Sequence, residues 1–100
     1  SNNQYLMVKF YADWCVSCKE MERFTLSDAQ VQARLEDVML LTIDVTEGNA
    51  DDMALLKRFN LFGPPGILFI DRQGNDIPDV RVIGFLNKND FLAVLNAILI

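Results

Sequence analysis

The sequence predicts an α/β domain with a mixed central β-sheet and helices on both faces. Stretches of near-continuous apolar, β-branched and aromatic residues alternate with stretches that repeat apolar residues at helical spacing. The last two strand-like stretches are joined by a short polar turn, which makes them an antiparallel hairpin and the sheet mixed. The chain has 100 residues, 51% of them hydrophobic, enough to form one core without metals or multiple disulfides.

Tyr5 to Tyr11 (YLMVKFY) is rich in β-formers, with Lys9 as its only charge, and reads as a buried strand. Cys15 and Cys18 follow at once. From Cys15 onward, Met21 and Phe24 set among Lys19, Glu20, Glu22 and Arg23 suit a helix beginning at or just before the cysteines. The run SDAQ at Ser27 to Gln30 has the form of a capping box that restarts a helix, so a kink or break is expected near Thr25 to Ser27. Val38 to Val45 (VMLLTIDV) reads as a second buried strand by the criteria used for the first. After the turn Glu47-Gly48-Asn49, the segment Ala50 to Phe59 carries Met53, Leu56 and Phe59 on one face. Asp51 and Asp52 in its first turn and Lys57 and Arg58 in its last match the helix dipole at both ends. Ile67 to Ile70 and Val80 to Phe85 read as strands around the turn DRQGND. Phe91, Val94, Leu95 and Ile98 form the stripe of a closing helix, capped by Asn87 or Asn89. In the order β, α, β, α, β, β, α the carboxyl end of the first strand delivers the cysteines to the surface. No repeat, linker or low-complexity tract divides the chain, so residues 1–100 are read as one domain.

Charge and length of the apolar runs exclude two classes of function. Fourteen acidic residues against nine scattered basic ones give a net charge of −5, with no basic stripe to displace counterions from phosphates, so no nucleic-acid partner is expected. Every apolar segment is short and broken by charges, well below the roughly 20 residues that span a bilayer, so the domain itself is not expected to enter a membrane. The start Ser1-Asn2-Asn3 lacks the basic region and apolar run of a signal peptide.

The chemistry is concentrated in Asp13-Trp14-Cys15-Val16-Ser17-Cys18-Lys19, which holds both cysteines of a chain without histidine. A structural zinc site wants four ligands, usually cysteine and histidine, and this chain offers two, so no metal is expected. A structural staple gains little here, since closing so short a loop stabilises by roughly 2 kcal/mol against about 3 for a 15-residue loop. Two inert buried thiols are a poor match to flanking Trp14 and Lys19 at the mouth of a helix. A redox pair explains the spacing. At a helix start, the first thiol meets unpaired backbone N–H groups and the positive end of the dipole, which stabilise thiolate, while the second lies one turn further in, where it can attack a mixed disulfide. That makes Cys15 the nucleophile and Cys18 the resolving thiol.

The run YADWCVSCKEME, with a strand before it and a helix after it, resembles the thioredoxin superfamily, and within it the C-terminal periplasmic domains of bacterial DsbD-type thiol:disulfide interchange proteins. LFGPPGILFID resembles the superfamily's loop that carries a cis-proline just before a strand, which places Pro65 at the cis position. The resemblance extends from Tyr5 to the last helix. It implies a thioredoxin-like fold and exchange of two electrons between protein dithiols and disulfides, with no cofactor beyond a redox-active Cys15–Cys18 disulfide. It further implies a monomeric fragment of a larger membrane protein, periplasmic and tethered to the inner membrane, whose partners are other domains of the same polypeptide. Trp14, Cys15 and the Pro64-Pro65 loop are then expected to form an apolar docking surface. Close alternatives are a free-standing thioredoxin or one that serves cytochrome maturation. An alternative of another kind is a binding module whose disulfide is only structural.

Two positions depart from the superfamily pattern. Lys9 stands where many members carry an aspartate beneath the cysteine pair. Its charge either favours thiolate or turns away, with the stem packed and the amine in water. Glu22, a helical turn past Cys18, is then the carboxylate left to carry protons, or else an ordinary solvated helix residue. Gly66 stands where thioredoxins usually have threonine after the cis-proline, which bears on how partners dock.

Overall fold

The computed structural model describes residues 4–77 and 80–99. Its central strand is β1 (Leu6–Tyr11), and the pleat explains why this stretch is apolar on both sides: Met7 faces one buried cluster, while Val8 and Phe10 face the other. Strand β2 (Met39–Asp44) runs parallel to β1, from Leu6 opposite Met39 to Tyr11 opposite Asp44. On the other side β3 (Gly66–Ile70) runs antiparallel, from Leu6 opposite Ile70 to Phe10 opposite Gly66. The short β4 (Val82–Ile83) closes the hairpin against β3, so the sheet is mixed, in the order β2-β1-β3-β4.

Helices cover both faces. On the Met7 face, Met21, Leu26 and Val31 pack with Phe91, Leu95 and Ile98 over Ile67 and Phe69, and the Phe69 and Phe91 rings lie 6.4 Å apart. Each such buried side chain contributes roughly 1.5–3 kcal/mol of transfer free energy. On the opposite face Leu56 and Leu61 meet Val8, Phe10 and Leu68.

Helix α1 (Val16–Glu20) runs without interruption into a π turn over Met21–Leu26. The chain breaks at Ser27 and restarts as α2 (Ala29–Arg34). The break falls where the sequence places it, but the cap differs. Asp28, not Ser27, accepts from the N–H groups of Gln30 (3.0 Å) and Val31 (3.2 Å), while the Ser27 hydroxyl donates back to the Arg23 carbonyl. Thr25, fully buried, donates its hydroxyl to the Leu86 carbonyl at 2.6 Å and so ties the π turn to the segment leading into the last helix. Asn49 caps α3 (Ala50–Arg58) and Asn87 caps α4 (Lys88–Ile98), each accepting a backbone N–H at 2.9 Å.

Three expectations are corrected. β2 is not buried: Met39, Leu40 and Leu41 are exposed, because among the described residues the strand lies at the sheet edge with a neighbour on one side only. Met53, grouped with Leu56 and Phe59 on one apolar face of α3, is half exposed. β4 is two residues long where Val80 to Phe85 was expected, because Gly84 adopts a positive φ of 82° that turns the chain out of the strand.

Candidate active site

Beyond β1 the chain turns at Ala12, whose carbonyl accepts the Cys15 N–H at 3.1 Å, and Cys15 becomes the N-cap of α1. Its sulfur accepts the backbone N–H of Cys18 at 3.1 Å, so the first thiol occupies the place where a serine or aspartate usually satisfies a helix start. The two cysteines form a disulfide, with Cα atoms 5.2 Å apart. Both are more hidden than the flanking residues led the sequence reading to expect: Cys15 is 6% exposed and Cys18 2%, in one cluster with Phe10, Leu61 and Leu68. The short Cys-x-x-Cys turn tucks both sulfurs beneath the helix start, and Cys15 keeps the larger share of surface. Trp14 beside it is well exposed, at 62%.

The Pro64–Pro65 peptide bond is cis, Pro65 is buried, and its carbonyl accepts the Gly84 N–H at 3.0 Å. Leu61, at the start of this loop, shares the buried cluster of the cysteines. Leu61 crowds Gly66: a Cβ there would come within 3.0 and 3.2 Å of the leucine's methyl groups, which would have to shift by a few tenths of an ångström. Between Leu61 and the prolines, Phe62 is fully exposed, and Val16, next to Cys15, is exposed as Trp14 is.

The structure joins Lys9 and Glu22 in an ion pair. The lysine, 9% exposed, does not carry its amine out to water, and the glutamate keeps about half of its side chain (45%) in solvent. The pair lines a cavity of about 250 Å³ with Met7, Leu26 and Leu40, on the sheet face opposite Val8 and Phe10.

A family model for the thioredoxin-like domain matches residues 1–99. Among solved structures, the oxidised C-terminal domain of DsbD from Neisseria meningitidis superposes with a TM-score of 0.79 at 32% identity, covering 97% of this chain and 82% of that one. The chain belongs to the thioredoxin-like family, with the DsbD C-terminal domains. Thiol:disulfide interchange protein DsbD of Ralstonia nicotianae is 63% identical over 90 residues, which is 90% of this chain and 15% of that protein. The Escherichia coli protein of the same name is 52% identical over 90 residues, 90% of this chain and 16% of the relative. The chain thus spans about 15% of the length of these relatives.

In this thioredoxin-like domain the Cys15–Cys18 geometry fits dithiol/disulfide exchange, the chemistry of a protein-disulfide oxidoreductase. Among the described residues no cluster of histidine, cysteine and carboxylates is arranged to hold a metal, and no helix is long and apolar enough to cross a membrane.

Two residues of the site escaped the sequence reading. The Asp13 N–H donates to the Thr46 hydroxyl oxygen, and the Trp14 indole N–H donates to the Thr46 carbonyl, each at 2.9 Å. Thr46 in turn gives its N–H, at 2.8 Å, and its hydroxyl proton to one carboxylate oxygen of Asp44. The hydroxyl and then the backbone N–H of Thr46 hold the Asp44 carboxyl below its ordinary pKa, against a smaller opposing effect of burial. Burial first, and then the charge of Asp13, push the Tyr11 phenol above its ordinary value. The available signal was Asp44-Val45-Thr46 at a strand end, an aspartate two residues ahead of a backbone N–H it can accept.

Proposed function

We propose that this domain is a two-electron shuttle between protein partners, taking electrons from a membrane-embedded domain of its parent polypeptide and passing them to a periplasmic acceptor domain. One observation carries the reading: the Cys15 sulfur sits at a helix start and accepts the Cys18 N–H. The same N–H and the helix's positive end stabilise a Cys15 thiolate. In the reduced state the Cys15 thiolate attacks one sulfur of the partner's disulfide, and the partner's other sulfur leaves as thiolate. Cys18 gives its proton to the first partner thiolate and attacks the Cys15 sulfur, which breaks the mixed disulfide and forms the intramolecular one. The partner's second sulfur leaves as thiolate, takes a proton from water, and the partner departs as dithiol. A donor dithiol reverses the sequence and restores the pair. No cofactor beyond the cysteines is required.

Trp14 and the Pro65 loop supply the docking surface in this reading, and the names of the relatives support the assignment to thiol:disulfide interchange. The 100 residues are then one domain of a larger membrane protein, monomeric, periplasmic and tethered to the inner membrane.

The near-complete burial of both sulfurs favours a second reading, a module whose disulfide is only structural. A single pair of variants separates the two. Cys18→Ser is expected to trap protein partners as mixed disulfides on Cys15, since only the resolving step is lost, whereas Cys15→Ser is expected to trap none. Resistance of the native disulfide to dithiothreitol that reduces an ordinary thioredoxin would favour the structural module.

A further inference from the structure

A tryptophan that is 62% exposed, on the turn just before the nucleophile, has few packing contacts to fix it. Here it is nevertheless held. Its indole N–H ends on the Thr46 carbonyl, and the preceding backbone N–H, that of Asp13, ends on the Thr46 hydroxyl. The hydroxyl's part in the Asp13 bond is set from behind. A hydroxyl has one proton, and Thr46 commits it to Asp44, so only its lone pairs remain to face Asp13. Asp44 is itself fixed as the last residue of β2, in register with Tyr11, and the next residue, Val45, donates its N–H to the Tyr11 carbonyl at 2.8 Å. The carboxyl ends of two parallel strands are thereby linked through one threonine to the turn that carries Cys15.

We infer that Thr46, oriented by Asp44, is a positioning residue for the exchange reaction: it clasps the Asp13-Trp14 turn so that the indole is already in place when a protein partner docks. Trp14 presents apolar surface that a protein partner covers. Leaving the indole free would charge its ordering to each docking event, while holding it in advance removes that penalty. A small dithiol covers no such surface and gains nothing from the clasp. The inference rests on the proposed exchange with proteins, and its effect falls on the binding of large partners and not on the sulfur chemistry.

The test compares Thr46→Val, which keeps the β-branched shape and loses the hydroxyl, with Thr46→Ser, which keeps the hydroxyl. Acrylamide quenching of Trp14, the only tryptophan, reads its freedom in the oxidised protein. Insulin, reduced at the expense of dithiothreitol, serves as the protein disulfide, and direct reduction of the Cys15–Cys18 disulfide by dithiothreitol serves as the small-molecule control. Thr46→Val keeps the main-chain carbonyl that accepts the indole N–H and removes the hydroxyl that holds the Asp13 N–H, so the turn loosens from its Asp13 end. The variant is expected to raise the quenching constant and to raise KM for insulin about fivefold, the worth of that one hydrogen bond, with kcat and the dithiothreitol rate within about twofold of the parent. Thr46→Ser is expected to restore both. Unchanged quenching and KM in Thr46→Val would overturn the inference, and so would equal losses in both variants or a parallel fall in the dithiothreitol rate. If the unsubstituted protein does not reduce insulin, the exchange reading fails, and quenching alone then decides whether the clasp exists.

Discussion

At the scale of single residues the site depends on which proton each group gives away. Asp44 accepts two bonds from Thr46, which depresses its pKa. A carboxyl whose folded pKa is depressed contributes fully above its unfolded value, about 3.9 for aspartate, and loses that contribution as pH falls through the folded value. The clasp on Trp14 is therefore expected to hold from neutrality down to about pH 5 and to loosen only below about pH 4. Acrylamide, being neutral, reports this without interference from the changing charge of the protein. Quenching that rises between pH 7 and 5, or an Asp44→Asn variant with the same acid transition as the parent, would remove Asp44 from the account. The cysteines were legible because two thiols at helical spacing leave few chemical alternatives in a chain without histidine. Thr46 was not, because its importance lies in bonds to residues more than thirty positions away. Cys15 burial also escaped, since neighbours in sequence do not reveal how far a turn tucks a sulfur beneath a helix start.

At the scale of elements, the Lys9–Glu22 pair fastens the central strand to the π turn, and the π turn continues the helix that begins at the cysteines. Removing one partner of a buried pair strands the other charge, at a cost of roughly 3–5 kcal/mol when both are dry. Glu22 keeps 45% of its side chain in solvent, so Glu22→Gln is expected to destabilise by less, about 1–2 kcal/mol. The double variant Lys9→Met with Glu22→Gln is expected to recover most of that loss, because no buried charge remains. Urea unfolding of the three proteins decides the matter, and a double variant as unstable as Glu22→Gln alone would show that the pair acts through something other than charge. The same measurement tests the cap of α2. Asp28→Ala is expected to lose about 1 kcal/mol and Ser27→Ala much less, since Asp28 carries both cap bonds. The break in the helix was visible in the sequence, but the choice between adjacent capping residues turned on backbone conformation. The edge position of β2 was equally hidden: an apolar run identifies a strand, whereas its neighbours are set by the order of strands in the sheet.

At the scale of the whole molecule, apolar side chains serve two ends that composition alone does not separate. Phe69 and Phe91 are fully buried between sheet and helices, while Phe62 is fully exposed beside the Pro64-Pro65 loop. The alternation of strands and helices made the fold legible, and with it the end of the sheet where the cysteines lie. It did not distinguish a phenylalanine that holds the core from one left in solvent. Phe91→Ala is expected to destabilise by about 3–5 kcal/mol through loss of transfer free energy and the cavity left behind. Phe62→Ser removes no buried contact and is expected to leave the urea midpoint unchanged, because exposed sites away from caps and special backbone usually shift stability by less than about 0.5 kcal/mol. Its effect should fall on docking. If Phe62 extends the surface formed by Trp14 and Val16, the variant loses apolar area that a protein partner covers, and insulin reduction by the dithiol form should slow about three- to tenfold, with reduction of the domain by dithiothreitol unchanged. Phe62→Leu, which keeps apolar area, should retain most of the rate. A Phe62→Ser protein as fast as its parent on insulin would confine the docking surface to the Trp14 side of the disulfide, and one equally slow with dithiothreitol would mean that the substitution disturbs the cysteines themselves.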